Sequence, residues 1–332
     1  MITTFLYTLT PMLYLFLCLA IGFTLRKTQI LPENSSKVMA KLENWVFCPA
    51  LSFMTMATYC RVETFTPHLT NILLSCIIAA IALAIALSLS RFFVREKCYD
   101  RGVYAYGLMF GNFGYVGDPL VIALFGGEIY AYYKLFTLPL TILCYVWGIS
   151  VLVPPEYADN GVKGLLKKVF TPPVVALLIG LAVGFTGTLD YFPEFLLNTL
   201  DGLKACYGPV AMLLAGFTIA GYTMSRMLKK PKVYVATAFR LVILPAVIIT
   251  VLFGIVNLFN LIPGMNIGNL PIFLTFFAFA APLGMNTIVF PEAYGGDPET
   301  GASMAMISHT LCVITIPILY ALMTVVFGTL TI

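Results

Sequence analysis

The sequence predicts an all-α polytopic membrane protein with ten transmembrane helices in two inverted five-helix repeats, in which helices 4 and 9 are broken. Of its 332 residues, 60% are hydrophobic and only 10% are charged, whereas a soluble domain carries about 25% charged residues. Apolar runs long enough to cross a bilayer alternate with short charged clusters along the whole chain. The same Pro, Gly and Asn punctuation recurs in both halves. These observations exclude a soluble globular or a disordered protein.

Charged clusters and Pro or Gly residues divide the chain into ten apolar stretches. The predicted spans are 4–25, 36–59, 68–92, 102–127, 129–153, 170–189, 195–225, 232–260, 269–294 and 299–330. We expect the first span to be retained as a helix, because no Lys or Arg precedes it as in a signal peptide. The predicted domains are a first repeat over 1–153, a cytoplasmic linker over 154–169 and a second repeat over 170–332.

Basic residues mark one side of the predicted membrane. They cluster in the connections after helices 1, 3, 5 and 7, at 26–41, 91–101, 161–168 and 226–232. Because Lys and Arg favour the cytoplasmic side, we expect these connections inside and both termini outside the cytoplasmic membrane. The eight Cys residues lack metal-ligand spacing, and the net charge is only +4. We therefore expect no metal, no other cofactor and no nucleic-acid partner.

The two halves of the chain match in order. Pro49 in helix 2 corresponds to Pro209 in helix 7, and each proline is expected to kink its helix. Asn112 in helix 4 corresponds to Asn286 in helix 9. Because each repeat has five spans, an odd number, the second repeat must enter the membrane from the opposite side. Inverted repeats of this kind are typical of secondary transporters.

Helices 4 and 9 contain too many Gly, Asn and Pro residues to run uninterrupted. Residues 111–119 read GNFGYVGDP, and residues 282–292 read PLGMNTIVFPE. We expect both segments to unwind near mid-membrane, where half-helix N-termini can hold an anion and freed carbonyls a cation. Close helix packing at the glycines is the structural alternative. The residues predicted to break or kink helices are Pro49, Pro119, Pro209, Pro282 and Pro291.

These segments resemble those of the auxin efflux carrier family, which includes bacterial permeases and the plant PIN-formed auxin carriers. The resemblance spans the chain and rests on NFGYVGDP at 112–119, PLGMN at 282–286 and EAYGGD at 292–297. It implies a scaffold domain of helices 1, 2, 6 and 7, and a transport domain of helices 3–5 and 8–10 whose helices 4 and 9 cross at their breaks. This elevator-like fold is similar to that of the bile acid sodium symporters. Family members typically move organic anions such as auxin, malonate or malate.

Substrate contacts are predicted at the two breaks. The amides of Asn112 and Asn286 can donate to a carboxylate, or they can tie loose backbone ends together. Ser52 and Thr55 follow the Pro49 kink and can offer hydroxyls from the scaffold side, or bond back to their own helix. The predicted substrate-binding residues are Asn112, Asn286, Gly114, Tyr115, Gly284, Ser52 and Thr55.

Titratable residues inside the spans are predicted to couple transport to protons or sodium. Asp118 stands where the family motif usually has an apolar residue, and a carboxylate at membrane depth must be protonated, paired or hydrated. Lys134 can pair with Asp118, attract an anionic substrate or snorkel to the interface. Glu292 can bind a cation or lie at the cytoplasmic surface, and His309 can relay protons or bond within the bundle. Arg240 has no obvious partner and receives no role.

The predicted function is secondary active transport of a small organic anion, such as a carboxylate, by an elevator-type carrier in the cytoplasmic membrane. A sodium-coupled carrier like the bile acid symporters is the alternative. An intramembrane enzyme or a transporter-like sensor is the hypothesis from another class. The chain has no G-x-S-x-G elbow and only His68 and His309 as histidine bases, which disfavours the enzyme. The expected partners are the anion, the lipid bilayer and a second copy bound through the scaffold domain.

Overall fold

A computed structural model describes residues 1–63, 65–96, 98–152, 164, 166, 169–222, 230–294 and 297–330. For residues 149 and 292–294 it describes the backbone alone. The regular structure of the described residues is helical, without a β-strand. Glu292 is placed on a helix, but its side chain lies outside the described part of the protein.

The helices follow one another with short connections. They are α1 (Ile2–Lys27), α2 (Ser35–Leu42), α3 (Cys48–Tyr59), α4 (Phe65–Phe93), α5 (Tyr99–Met109), α6 (Asp118–Phe136), α7 (Leu138–Leu143), α8 (Ile149–Leu152), α9 (Pro172–Thr186), α10 (Glu194–Ala220), α11 (Pro231–Ala238), α12 (Leu244–Phe259), α13 (Leu270–Phe279), α14 (Asn286–Tyr294) and α15 (Glu299–Phe327). Described π-helical turns lie at Glu43–Phe47, Phe113–Gly117, Cys144–Gly148 and Phe239–Ile243.

Several helices are long and apolar enough to cross a membrane. Among the described residues, five helices meet this criterion: α1, α4, α10, α15 and the continuous unit Pro231–Phe259 that contains α11 and α12. The segments Phe113–Phe136 and Leu138–Leu152 meet it together and are bent by 44° at their junction. Helices α9 and α13 are apolar but shorter. The chain is therefore a multi-pass, all-helical membrane protein.

Glycines bring two pairs of helices into backbone contact. Gly22 of α1 lies against the backbone of α10, and Gly216 of α10 lies against the backbone of α1. Gly180 and Gly184 of α9 lie in the same way against the backbone of α3. A side chain at any of these positions would collide with the neighbouring helix. Close packing through small residues is the usual way in which helices associate in lipid.

Proline acts differently at different positions in these helices. Three π turns end two residues before a proline, namely before Pro49, Pro119 and Pro245. A proline ring has no N–H and excludes the carbonyl of the preceding turn, and a wider turn removes that clash. The helices that contain Pro209 and Pro291 continue through them. Neither proline ends its helix, because the loss of one hydrogen bond is not enough to do so, and the kink expected at Pro209 stays a prediction.

Both segments expected to unwind begin in non-helical backbone and become helical again towards their C-terminal ends. Helix α5 ends at Met109, and the chain becomes helical again in the π turn that begins at Phe113. Helix α13 ends at Phe279, and α14 begins only at Asn286. Pro282 lies in this second gap. The unwound stretches are thus 110–112 and 280–285.

Candidate functional site

The two unwound stretches cross and pair with each other. Gly111 and Leu283 form an isolated antiparallel bridge. The backbone N–H of Asn112 donates to the Pro282 carbonyl at 2.6 Å, and the N–H of Gly284 donates to the Phe110 carbonyl at 3.3 Å. Lipid offers no hydrogen-bond partner to unwound backbone, so the two breaks satisfy each other. We refer to residues 110–112 and 280–285 together as the crossing.

A cavity of about 130 Å³ lies beside the crossing. This volume is close to that of a protein cavity that holds one benzene molecule, so the site suits a small solute. The N-terminal ends of the π turn that precedes α6 and of α14 both reach it. Helix N-termini carry partial positive charge, which favours an anion. The predicted substrate residues that line the cavity are Asn112, Gly114, Tyr115, Gly284 and Asn286.

Asn112 is held through its backbone N–H and through both polar atoms of its side chain. Its backbone N–H bonds across the crossing, and its Oδ1 accepts from the Tyr115 N–H at 3.2 Å, which caps the π turn. Its Nδ2 lies 3.1 Å from His309 Nε2. His309 Nδ1 donates to the Ala305 carbonyl at 2.8 Å, so Nε2 is the acceptor for the Asn112 amide in a neutral imidazole. His309 thus orients Asn112 and does not line the cavity.

Asn286 faces the cavity from the second break with a different set of partners. Its Nδ2 donates to the Tyr106 hydroxyl at 2.9 Å and lies 3.4 Å from Cys144 Sγ. The Tyr106 hydroxyl is itself 2.9 Å from the same sulfur. All three residues line the cavity. A cavity wall that contains both hydrogen-bond donors and acceptors can bind a polar solute.

Asp118 and Lys134 form a buried ion pair. Lys134 Nζ donates to Asp118 Oδ2 at 2.8 Å, and the two side chains are 15% and 1% exposed. The Tyr207 hydroxyl of α10 donates to the same oxygen at 3.4 Å. Lys134 also lines the cavity, whereas Asp118 lies behind it. Lys134 therefore pairs with Asp118 and faces the cavity at the same time. Of the three alternatives for Lys134, this contact favours pairing over snorkelling to the interface, because a carboxylate holds its charge inside.

The other predicted site residues lie around this centre. Ser52 and Thr55 are buried but do not line the cavity, and Cys48, one turn earlier on the same helix, does. Ser308, which was not a predicted site residue, accepts from the Leu283 N–H and donates to the Ala305 carbonyl, so among its described contacts it lacks the histidine of an activated serine. Among the described residues no cluster of three or more His, Cys, Asp or Glu could hold a metal ion.

Several site residues were not foreseen from the sequence. Tyr207, Tyr106, Cys48 and Cys144 all line the cavity. Tyr207 directly precedes the Gly-Pro pair of helix 7, and Cys48 directly precedes Pro49, so the matched prolines of the two halves were an available signal. Tyr106 and Cys144 carry no such signal, because an isolated Tyr or Cys in an apolar helix is usually a packing residue.

Similarity to known proteins identifies the class to which this chain belongs. A family model described as "Membrane transport protein" matches residues 7–162 and 161–320, which is nearly the whole chain. The chain belongs to this family of transporters. It is also similar to an uncharacterized transporter of Methanocaldococcus jannaschii, with 23% identity over 309 residues, or 89% of this chain and 92% of the relative. The resemblance to the auxin efflux carriers is thereby confirmed, and the family is one of transporters rather than of enzymes.

Proposed function

We propose that the protein is a secondary active transporter that moves a small organic anion, such as a carboxylate, across the cytoplasmic membrane. The observation that carries this proposal is the cavity itself, where two half-helix N-termini and the Lys134 ammonium converge on a space for a small solute. The dipole ends favour an anion, whereas the charge of Lys134 is balanced by Asp118. The amide of Asn286 provides a polar contact at the second break, whereas the Asn112 amide bonds within the protein and shapes the first break.

The proposal includes ten spans in two inverted repeats. Each of the ten apolar stretches overlaps one, two or three helices in the described part of the chain, and the two breaks meet at matched positions. The glycine contacts join α1 with α10 and α3 with α9, which are predicted helices 1, 7, 2 and 6. These four form the scaffold of the proposed elevator, on which helices 3–5 and 8–10 move. Both termini outside and a dimer through the scaffold are parts of the same proposal.

We propose Asp118 as the coupling site. Its contact with Tyr207 joins the first broken helix to a scaffold helix, so a change in the charge of Asp118 alters the surface across which the two domains slide. A proton or a sodium ion can produce that change. No enzymatic step and no cofactor belong to this cycle.

A ligand screen tests the substrate class. Malonate, malate and auxin are the first probes, since the family carries such anions, and we expect at least one small carboxylate to raise the melting temperature of the purified protein. A neutral sugar and an amine of similar size are the controls. If only the neutral or cationic solutes stabilise the protein, the proposed anion specificity is wrong.

Flux measurements with a stabilising carboxylate test the coupling. In proteoliposomes, we expect Asp118→Asn to lose the response to an imposed pH gradient while it keeps exchange of substrate for substrate. A loss of sodium dependence in the same variant identifies sodium as the coupling ion instead. An Asn variant that responds to both gradients as the parent does removes Asp118 from the mechanism.

A further inference from the structure

Arg240 lies behind the crossing and is fully buried. It belongs to the π turn Phe239–Ile243, between α11 and α12. Its Nη1 donates to the Leu108 carbonyl, in the last turn of α5, at 3.3 Å. Its Nη2 lies against Gly111, where a side chain at that position would otherwise be. The guanidinium therefore lies at the carbonyl end of a half-helix, separated from the cavity by the Gly111 backbone.

No carboxylate neutralises Arg240 in the described part of the protein. The ion pairs found there are Arg26–Glu33, Lys134–Asp118, Lys204–Asp201 and Lys230–Glu299. Nε and Nη2 of Arg240 also have no hydrogen-bond partner among the described residues. Its charge thus faces the backbone carbonyl of Leu108, and both Nη2 and the Ala281 carbonyl oxygen lie on the side of Gly111 that a Cβ would occupy.

Carbonyl groups at the ends of broken helices are the usual ligands of coupling cations in membrane carriers. The C-terminal end of a half-helix carries partial negative charge, and unwound carbonyls there have no helical partner. At the first break of this protein a guanidinium already occupies that environment. Gly111 leaves the room that it needs, because a Cβ there would collide with Nη2.

We propose that Arg240 is a tethered cation of the crossing, which takes the position where a carrier with broken helices would otherwise bind a mobile cation. The first break then needs no sodium to hold its carbonyl groups together. This consequence for ion coupling rests on the proposed transport function, whereas the assignment of the cation itself does not.

Chemical rescue tests the assignment without a substrate. Arg240→Ala removes the cation and leaves a space bounded by carbonyls, and Arg240→Gln does so with a smaller loss of volume. We expect both purified variants to melt at least several degrees below the parent. Millimolar guanidinium should recover most of that loss by binding in the vacated space, because a ligand of the folded state raises its stability. Arg91→Ala, at an exposed arginine near the end of α4, is the matched control and should not respond.

The parent protein provides a second measurement that requires no variant to fold. Exchanging potassium for sodium at constant ionic strength should leave its melting temperature unchanged. A sodium-specific stabilisation of the parent that persists in Asp118→Asn would overturn the proposal, as would Ala and Gln variants that guanidinium does not rescue. If neither variant can be purified, the sodium comparison decides alone. Loss of the carboxylate response in the ligand screen would count against the transport proposal and not against this assignment.

Discussion

Asn112 uses its amide entirely within the protein, whereas Asn286 is only half-buried at the cavity wall. The Oδ1 and Nδ2 of Asn112 bond to Tyr115 and His309. Asn286 Nδ2 bonds to Tyr106 and Cys144 at the cavity. The two amides therefore contribute differently to stability and to binding.

Alanine at each position should separate these contributions. We expect Asn112→Ala to destabilise the protein by about 1–2 kcal/mol, because it removes a cap and leaves His309 Nε2 without a donor. Asn286→Ala should weaken binding of a stabilising carboxylate by on the order of 1–3 kcal/mol with a smaller change in melting temperature. Melting curves with and without ligand measure both effects. Equal behaviour of the two variants would contradict this assignment.

For the buried ion pair of Asp118 and Lys134, we predict that the effects of substituting the two residues on stability depend on each other. Lys134→Gln leaves a carboxylate inside the protein without its cation, which costs about 3–5 kcal/mol in comparable buried pairs. Asp118→Asn in the same chain removes that charge, so we expect the double variant to recover much of the stability. Urea or thermal denaturation of the single and double variants gives the coupling energy. Additive losses would mean that the two charges do not depend on each other.

Among the helices, π turns occur where charged residues are buried in the protein. Glu43, Asp118 and Arg240 are buried charged residues, and each lies in or next to a π turn that precedes a proline. A π turn displaces the helical hydrogen-bond ladder by one residue and often marks a functional site. In this protein a π turn and the proline that follows it occur together at the positions where charge is buried.

The glycine contacts between helices predict how alanine at two glycines of α10 changes the stability of the protein. Gly216→Ala should destabilise the α1–α10 pair, because its Cβ would collide with the Leu19 carbonyl. Gly202→Ala on the same helix is the matched control: its Cβ meets no atom within 4 Å, so better helix propensity should stabilise the chain by about 0.5–1 kcal/mol. Melting temperatures of the two variants should therefore shift in opposite directions. A Gly216→Ala variant as stable as the parent would show that this pair can separate.

The orientation of the whole molecule in the membrane can be tested by labelling a native cysteine. Cys98 is exposed in the basic connection 91–101, which the positive-inside rule places in the cytoplasm. In a chain that keeps only this cysteine, a membrane-impermeant maleimide should label it in inverted vesicles and not in intact cells. A lone cysteine introduced by Glu63→Cys, in the exposed connection before α4, should show the opposite pattern. Labelling of Cys98 from outside would reverse the proposed topology.

The sequence alone determined the class of protein, the approximate course of its helices and the location of both breaks. These features depend on local composition: apolar runs must lie in lipid, and Gly, Asn and Pro cannot sustain a helix where they are dense. For this reason Asn112, Asn286, Gly114, Tyr115 and Gly284 could be named as site residues before any contact was known.

Only the tertiary structure decided which groups meet. The pairing of Gly111 with Leu283, the bond from Asn112 to His309 and the contact between Tyr207 and Asp118 join residues far apart in the chain. Arg240 had no partner in the sequence because its acceptor is a backbone carbonyl, that of Leu108, and it reaches Gly111 only because the helices unwind and cross there. Such a site depends on the path of the chain through space, which residue types and their spacing do not specify.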